Sequence, residues 1–317
     1  MSERGFWGKL PTPFFVLAPM ADVTDASFRR VIAKYGKPDV MYTEFVSCDG
    51  LQSAGRERLL RDLLYTEPER PIVAQIFGAK PENFEKTAAL VRELGFDGVD
   101  INMGCPDRSL VKSGSCGGLI GNPKLAKEII EATKRGAGHL PVSVKTRIGK
   151  QKIITEEWIG ALAEANPAVI TVHGRTVKEM SKVPAHWDEI GKAARVCREK
   201  GILCIGNGDV MTLDDARIKA AEFGVDGVML GRAIFGNPFL FNESIENPTL
   251  TEKLAILLEH AELYEQLLGD VKNFAIMRKH FGSYIKGFDG AKDLRMKLMS
   301  CENAGEMRKI IEHPESW

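Results

Sequence analysis

The chain has 317 residues, 44% of them hydrophobic and 27% charged, and its 43 basic and 43 acidic side chains cancel to a formal net charge of zero. That composition is ordinary for a globular protein with room for one large domain and a small one, and the global charge singles out neither a nucleic acid nor a membrane surface as partner. The six cysteines form no C-x-x-C pair and none has His at zinc-finger spacing, so free thiols, a reducing compartment and no metal are expected.

Short, apolar, β-rich runs recur in chain order at Phe14–Met20, Val40–Phe45, Pro71–Phe77, Gly98–Met103, Pro141–Ile148, Val169–Arg175, Ile202–Gly208 and Gly227–Arg232. Most are unbroken rather than alternating, as parallel strands covered on both faces should be. Helical segments fill the gaps. Pro81 opens one that Gly95 closes, and Asn122-Pro123 opens another with proline in the first turn. Thr155 to Ala165, Trp187 to Lys200 and Thr212 to Phe223 read as three more, the last with Thr212 as N-cap and Asp214 and Asp215 in its first turn. Strict strand-then-helix order leaves an open doubly wound sheet or a closed barrel. The first strand is followed by Ala18-Pro19-Met20-Ala21-Asp22, not by G-x-G-x-x-G, and eight such units suit a (β/α)8 TIM barrel.

From about Glu246 the strand pattern stops. Thr251 to Leu268, Asn273 to Lys286, Ala291 to Met299 and Asn303 to Ile311 read as helices. The expected organisation is an α/β barrel over residues 1–245 and an appended C-terminal all-helical domain over 246–317. No basic-then-apolar leader precedes the first strand, and no apolar run reaches the ~18 residues that span a bilayer. A cytoplasmic protein with no membrane partner is expected, and a monomer.

Barrels of this type do their chemistry at the C-terminal ends of the strands. The sequence brings polar groups to that end on nearly every strand: Pro19-Met20, Glu44, Gln75, Asn102 with Cys105, Lys145 with Arg147, His173 with Arg175, Asn207-Gly208-Asp209, and Gly231-Arg232. The glycine turns after strands seven and eight, with Arg232, suit a phosphate. Lys145 inside an apolar run suits an anion such as the N1–C2=O edge of a reduced flavin, Gln75 suits the edge of a planar heterocycle, and His173 suits either. Cys105 lies between Gly104 and Pro106. Its thiol, with an ordinary pKa of about 8.5, is able to act as an acid or as a nucleophile.

These blocks resemble the tRNA-dihydrouridine synthases over nearly the whole chain. The matching stretches are Ala18-Pro19-Met20, Glu44-Phe45-Val46-Ser47, Ala74-Gln75-Ile76-Phe77-Gly78, Asp100 to Pro106, Val144-Lys145-Thr146-Arg147, Val172-His173-Gly174-Arg175-Thr176, Gly206-Asn207-Gly208-Asp209 and Gly231-Arg232. The Asn102-Met103-Gly104-Cys105-Pro106 block is the most telling. The resemblance implies an FMN-dependent oxidoreductase in which NADPH reduces the flavin, and the flavin then reduces the C5–C6 double bond of a uridine in tRNA. By position, Cys105 is implied as proton donor to C5 and Asn102, Arg147 and Arg175 as substrate-binding. Pro19, Met20, Ala21, Gln75, Lys145, His173, Asn207, Gly208, Asp209, Gly231 and Arg232 are implied as the FMN site. The helical domain is implied to recognise tRNA. Between Val271 and Ser300 it carries Lys272, Arg278, Lys279, Lys286, Lys292, Arg295 and Lys297 against Asp289 and Asp293, a basic face suited to phosphates.

Two stretches depart from the family pattern. Met180-Ser181-Lys182 stands where a Gly-Tyr-type loop is common, and Cys116 stands where a small residue such as alanine is usual. The main rival reading is an FMN barrel oxidoreductase acting on a small pyrimidine, in the manner of dihydropyrimidine or dihydroorotate dehydrogenases. A tRNA-binding barrel without catalysis is a second rival, and an intact Cys105 argues against it.

Overall fold

The computed structural model describes residues 4–245 and 248–313. Strands and helices alternate along the first part of it. In order they are β1 (Phe14–Leu17), α1 (Ala26–Tyr35), β2 (Met41–Ser47), the short α2 (Cys48–Leu51) and α3 (Arg56–Leu60), β3 (Ile72–Phe77) and α4 (Pro81–Glu93). There follow β4 (Gly98–Met103), the short α5 (Arg108–Lys112), α6 (Pro123–Ala137), β5 (Val142–Arg147), α7 (Thr155–Ala163) and β6 (Val169–His173). Then come α8 (Trp187–Glu199), β7 (Leu203–Asn207), α9 (Leu213–Phe223) and β8 (Gly227–Leu230). From β2 to β8 each strand pairs in parallel with its chain neighbour, and β1 pairs with β8. A parallel bridge between Val16 and Val40, just ahead of β2, joins the two edges. The expected eight-stranded barrel is therefore formed.

The side-chain period of two explains what fills it. Near the N-terminal ends of the strands, inward positions are apolar: Phe14, Val16, Tyr42, Val73, Val169, Ile205 and Met229 cluster with Trp7. Toward the C-terminal ends the same faces turn polar, through Gln75, Asp100 and Asn102, Ser143 and Lys145, Thr171 and His173, and Asn207. Outward strand residues pack with the helices in a second, larger apolar cluster.

Helix starts follow their capping residues. Asp25 accepts a hydrogen bond from Phe28 N at the start of α1, Asn122 caps α6 ahead of Pro123, and Thr212 accepts from Asp215 N in α9. Strands end sooner than the apolar runs predict. β1 stops at Leu17 rather than Met20, β6 at His173 rather than Arg175, and β8 at Leu230 rather than Arg232. The residues beyond each end leave the ladder and curl over the mouth. The helices α1, α2, α3 and α5 are additions to the elements expected from sequence.

The expected boundary at 245/246 falls at residues 246–247, outside the described residues. Beyond it come α10 (Leu250–Leu268), α11 (Arg278–Tyr284), α12 (Ala291–Met299) and α13 (Ala304–Ile311). A capping box of Thr249 and Glu252 starts α10. The expected helix at 273–286 is a 3-10 turn, Phe274–Met277, followed by α11. These helices share an apolar cluster that includes Tyr264, Phe281, Leu294 and Met307 and reaches Val31 on α1 and Phe239. Glu259 of α10 bonds Lys34 and Tyr35 of α1. His260 and His280 are fully buried beside Phe28, their rings 4.7 Å apart, and burial holds both well below the ordinary histidine pKa. Among the described residues no helix is long and apolar enough to cross a membrane.

Candidate active site

A cavity of about 350 Å³ opens at the C-terminal end of the barrel. Every residue expected to act in catalysis or to bind substrate or cofactor lines it except Ala21, which is exposed and lies off its wall. Ala18, Phe45, Gly104, Pro106, Met180, Ser181, Val210, Met211 and Met229 complete the lining.

Glu44 is not among them, and the reason is a β-bulge. Tyr42 pairs with Val73, but Phe45 pairs with Gln75, so β2 carries one residue more than β3 between those positions. The extra residue switches the alternation. Phe45 faces the cavity, while the Glu44 carboxylate accepts a 2.9 Å bond from Lys272 Nζ of the helical region, which also lies 2.8 Å from Asp62. Glu44 further accepts the backbone N–H of Asp22 in the β1–α1 loop. Burial pushes Glu44 up to about 7, one of two acids sharing a single cation. Burial opposes the charge on Lys272, but Glu44 and Asp62 outweigh it and hold its pKa above the ordinary value. Lys272 is thus an internal tie and not part of an exposed basic face.

A buried hydrogen-bond chain positions Cys105. Ser143 Oγ donates to Asp100 Oδ1 at 2.6 Å, and Gln75 Nε2 donates to Asp100 Oδ2 at 2.7 Å. Asn102 Nδ2 donates to Gln75 Oε1 at 2.9 Å, and Asn102 Oδ1 accepts from the backbone N–H of both Gly104 and Cys105 at 3.0 Å. Three strands, β5, β4 and β3, thereby fix the turn that presents the thiol. Asp100 and Ser143 were missed from sequence, although a carboxylate inside a buried strand is itself a signal. Burial raises Asp100 to about 6, opposed by these two donors.

The two arginines expected to meet substrate are committed to backbone and neighbours. Arg147 donates from Nε to Gly104 O at 2.7 Å and from Nη1 to Thr176 O and Met180 O, so it ties the β4 turn to the loop after β6. Burial lowers it to about 10. Arg175 donates to Val183 O and Asp209, and lies 3.2 Å from His173 Nε2. A guanidinium only donates, so His173 Nε2 is the acceptor and its proton sits on Nδ1. Burial, with Arg147, Lys145 and Arg175 nearby, holds His173 well below its ordinary pKa and neutral.

Lys145 reaches the cavity from β5. Its ammonium makes a long 3.4 Å contact with Asn207 Oδ1, and among the described residues it has no carboxylate within ion-pair distance. Burial, with Arg147, lowers it to about 8. Asp209 bridges Arg175 and Arg232, so one acid offsets two cations and the mouth keeps a positive excess. At the β7 turn Gly208 has φ of 138°, and a Cβ there would meet Ala185 Cβ at 2.6 Å; only glycine keeps this backbone against the cavity. A half-buried cation without a carboxylate partner at one point and close backbone with arginine at another fit an anionic planar ring carrying a phosphate.

Cys105 is half-buried on the wall. A hydrogen bond from the Cys116 thiol pulls it down to about 6, against burial. The thiol of Cys116, fully buried behind it, is raised by the same bond and by burial. Among the described residues no cluster of His, Cys, Asp and Glu is able to hold a metal.

The family model described as "Dihydrouridine synthase (Dus)" matches residues 16–315. A probable tRNA-dihydrouridine synthase of Staphylococcus aureus (strain MRSA252) is 40% identical, the alignment covering 99% of this chain and 97% of that one. The probable tRNA-dihydrouridine synthase 2 of Bacillus subtilis (strain 168) is 41% identical over 98% and 97%. Among solved structures, a variant of NCR from Zymomonas mobilis superposes with a TM-score of 0.52 at 16% identity, over 76% of this chain and 94% of that one. A morphinone reductase variant in complex with tetrahydroNAD gives 0.52 at 12% identity, over 74% and 87%. At such identity these two likenesses speak for the barrel alone.

Proposed function

The chain belongs to the dihydrouridine synthase family and is a flavin-dependent oxidoreductase, and from that premise we propose that it binds FMN and, with NADPH as reductant, reduces the C5–C6 double bond of a uridine in cytoplasmic tRNA. The observation that carries the reading is the shared cavity: the Cys105 thiol and the Lys145 ammonium open into one space at the barrel mouth. Lys145 would hold the anionic edge of the ring, and Gly208, Gly231 and Arg232 the phosphate. Gln75 and Asn102, spent on one another and on Asp100, would set the wall against which the ring lies. When bound, the flavin supplies the hydride that reaches C6 of the uracil. Cys105 then delivers a proton to C5. In the open site its thiol is largely ionised near neutral pH, and a uracil covering it removes the water that solvates the thiolate and favours the protonated form. A uridine in folded tRNA has to leave its stack to enter such a mouth. The helical region, with Arg278, Lys279, Lys292 and Arg295 around one surface hollow, would carry the tRNA, and the protein would act as a monomer.

The test is to purify the chain, record its flavin spectrum and measure dihydrouridine formed in unmodified tRNA with NADPH. A yellow protein that forms dihydrouridine supports the reading, and absence of bound flavin overturns it. Turnover of a free pyrimidine but not of tRNA would favour a small-molecule pyrimidine oxidoreductase.

A further inference from the structure

We propose that the hollow between α11 and α12 is a nucleobase pocket: one unstacked base of a bound RNA strand lies on its methionine floor while the flanking phosphates meet its cationic rim. This rests on the tRNA reading above and deepens it, because a surface that met phosphates alone would need only the cations. The hollow has a volume of about 480 Å³. α12 presents Lys292, Arg295, Met296 and Met299 to it, a spacing that makes one stripe of the helix. The packing of α12 uses a different stripe, Ala291, Leu294 and Leu298, all buried in the apolar cluster of the helical region. Met296 and Met299 are therefore apolar residues that the core does not employ.

Their surroundings set them apart from stray surface apolar residues. Among the described residues the exposed methionines are Met180, Met211, Met296 and Met299. The first two line the barrel mouth and the last two line this hollow, so thioethers are left open to solvent where cations stand beside them. Among the described residues no acidic side chain lines the hollow, and Lys292 and Arg295 have no carboxylate within ion-pair distance. A thioether packs favourably on an aromatic ring, and every nucleobase offers such a ring. Lys279 of the rim lies 3.8 Å from Asp22, in the loop whose Met20 lines the mouth, so the hollow borders the side of the molecule from which a base enters the barrel. Gly282 of α11 is a third, independent observation. Glycine weakens a helix interior, yet neither backbone nor packing calls for it here. Its φ lies outside the left-handed region, and a Cβ on it would meet nothing within 4 Å. What the missing side chain leaves is open space in the hollow.

The test separates bases from phosphates. A short oligoadenylate RNA, and the same strand made abasic at its internal positions, carry the same phosphates. Adenine is used so that the uridine-reducing mouth is not what is titrated. Binding of each strand to the flavin-loaded full chain is followed by fluorescence anisotropy. The native protein should bind the base-bearing strand about tenfold more tightly than the abasic one. Gly282→Leu adds a good helix former, fills the hollow and removes no cation. It should abolish that preference while leaving the affinity for the abasic strand, and its salt dependence, as in the native protein. Met296→Ala with Met299→Ala removes the floor without adding bulk and should act in the same direction, which keeps the test open if the leucine variant loses its flavin spectrum. Equal affinity of the native protein for the two strands would reduce the hollow to a phosphate surface and overturn the proposal. A preference that survives in both variants would place base contact elsewhere and overturn it too. No turnover enters the measurement. Dihydrouridine formed by a protein without base preference strikes the pocket alone, whereas a flavin-free or tRNA-inactive protein strikes the reading above.

Discussion

At the scale of single residues, the site is governed by which groups are left charged where water is scarce. Cys105 is the case with the clearest consequence. Its thiol is lowered to about 6 chiefly because Cys116 donates to it. Alkylation of Cys105 by iodoacetamide requires the thiolate, so its rate should rise through a midpoint near pH 6 in the substrate-free protein. In Cys116→Ala that midpoint should move up toward the ordinary thiol value of about 8.5. A native midpoint near 8.5 would remove the interaction. A second prediction concerns the reaction: Cys105→Ala should lower dihydrouridine formation by about 100-fold or more while flavin absorbance is kept, as loss of a general acid does. Unchanged turnover would take Cys105 out of the mechanism. Most of these residues were legible from sequence because strand-end position alone selects them. Their partners were not. Gln75 and Arg147 read as ligand contacts, yet each spends hydrogen bonds on the wall itself, and nothing in linear spacing shows that Asp100 accepts from both Gln75 and Ser143. Cys116 reads in the sequence as an unusual residue, but its nearness to Cys105 depends on a turn that brings Gly117 N–H to Cys105 O, which linear spacing does not show.

At the scale of elements, alternation predicts which strand residues meet, and a single inserted residue defeats it. Without the bulge in β2, Glu44 would face the mouth; with it, Glu44 faces Lys272. Bulges have no sequence signature as firm as a cap or a glycine turn, so this could be seen only in the structure. α1 is different: Asp25 three residues before Phe28, with Val31 and Ile32 beyond, carries the cap and the apolar spacing of a helix. The Lys272 tie makes a measurable prediction. Lys272→Met leaves two carboxylates in a mostly buried site without their cation. A fully buried pair broken in this way costs ~3–5 kcal/mol, and because Lys272 and Asp62 keep some contact with solvent a loss on the order of 2 kcal/mol is expected in urea unfolding. A change below ~0.5 kcal/mol would show that the tie contributes little. Glu44 also accepts the Asp22 backbone N–H, so the same substitution should loosen the loop that carries Met20 to the cavity.

At the scale of the whole molecule, zero net charge conceals a sorting of charge by location. Lys272 is withdrawn into the interior, while Arg278, Lys279, Lys292 and Arg295 border a surface hollow together with Met296 and Met299, which are 60% and 46% exposed. If this face meets tRNA phosphates, reversing Lys292 and Arg295 to glutamate should weaken tRNA binding by about tenfold or more. It should also flatten the dependence of log affinity on log salt by roughly two, with the flavin spectrum unchanged. Equal salt slopes for native and variant proteins would move the tRNA contact elsewhere. The barrel and the appended helices were legible because repeated strand-helix spacing, and then its cessation, are whole-chain patterns. How the helices seat on α1 was not, since that packing joins residues more than two hundred positions apart, such as Tyr35 and Glu259.

The pairing of β1 with β8 has a consequence for how the molecule is made. A ribosome releases the chain from its N-terminal side, so Phe14 emerges long before Gly227, the residue it pairs with. Strands β2 to β8 are able to add one after another as they appear, each beside a neighbour already present. β1 has no such partner for most of synthesis beyond the bridge to Val40, and α1 waits still longer for α10. The β1 segment, though made well before its partner, is therefore among the last of the barrel to be enclosed, and a ribosome-associated chaperone would have a long time to hold it.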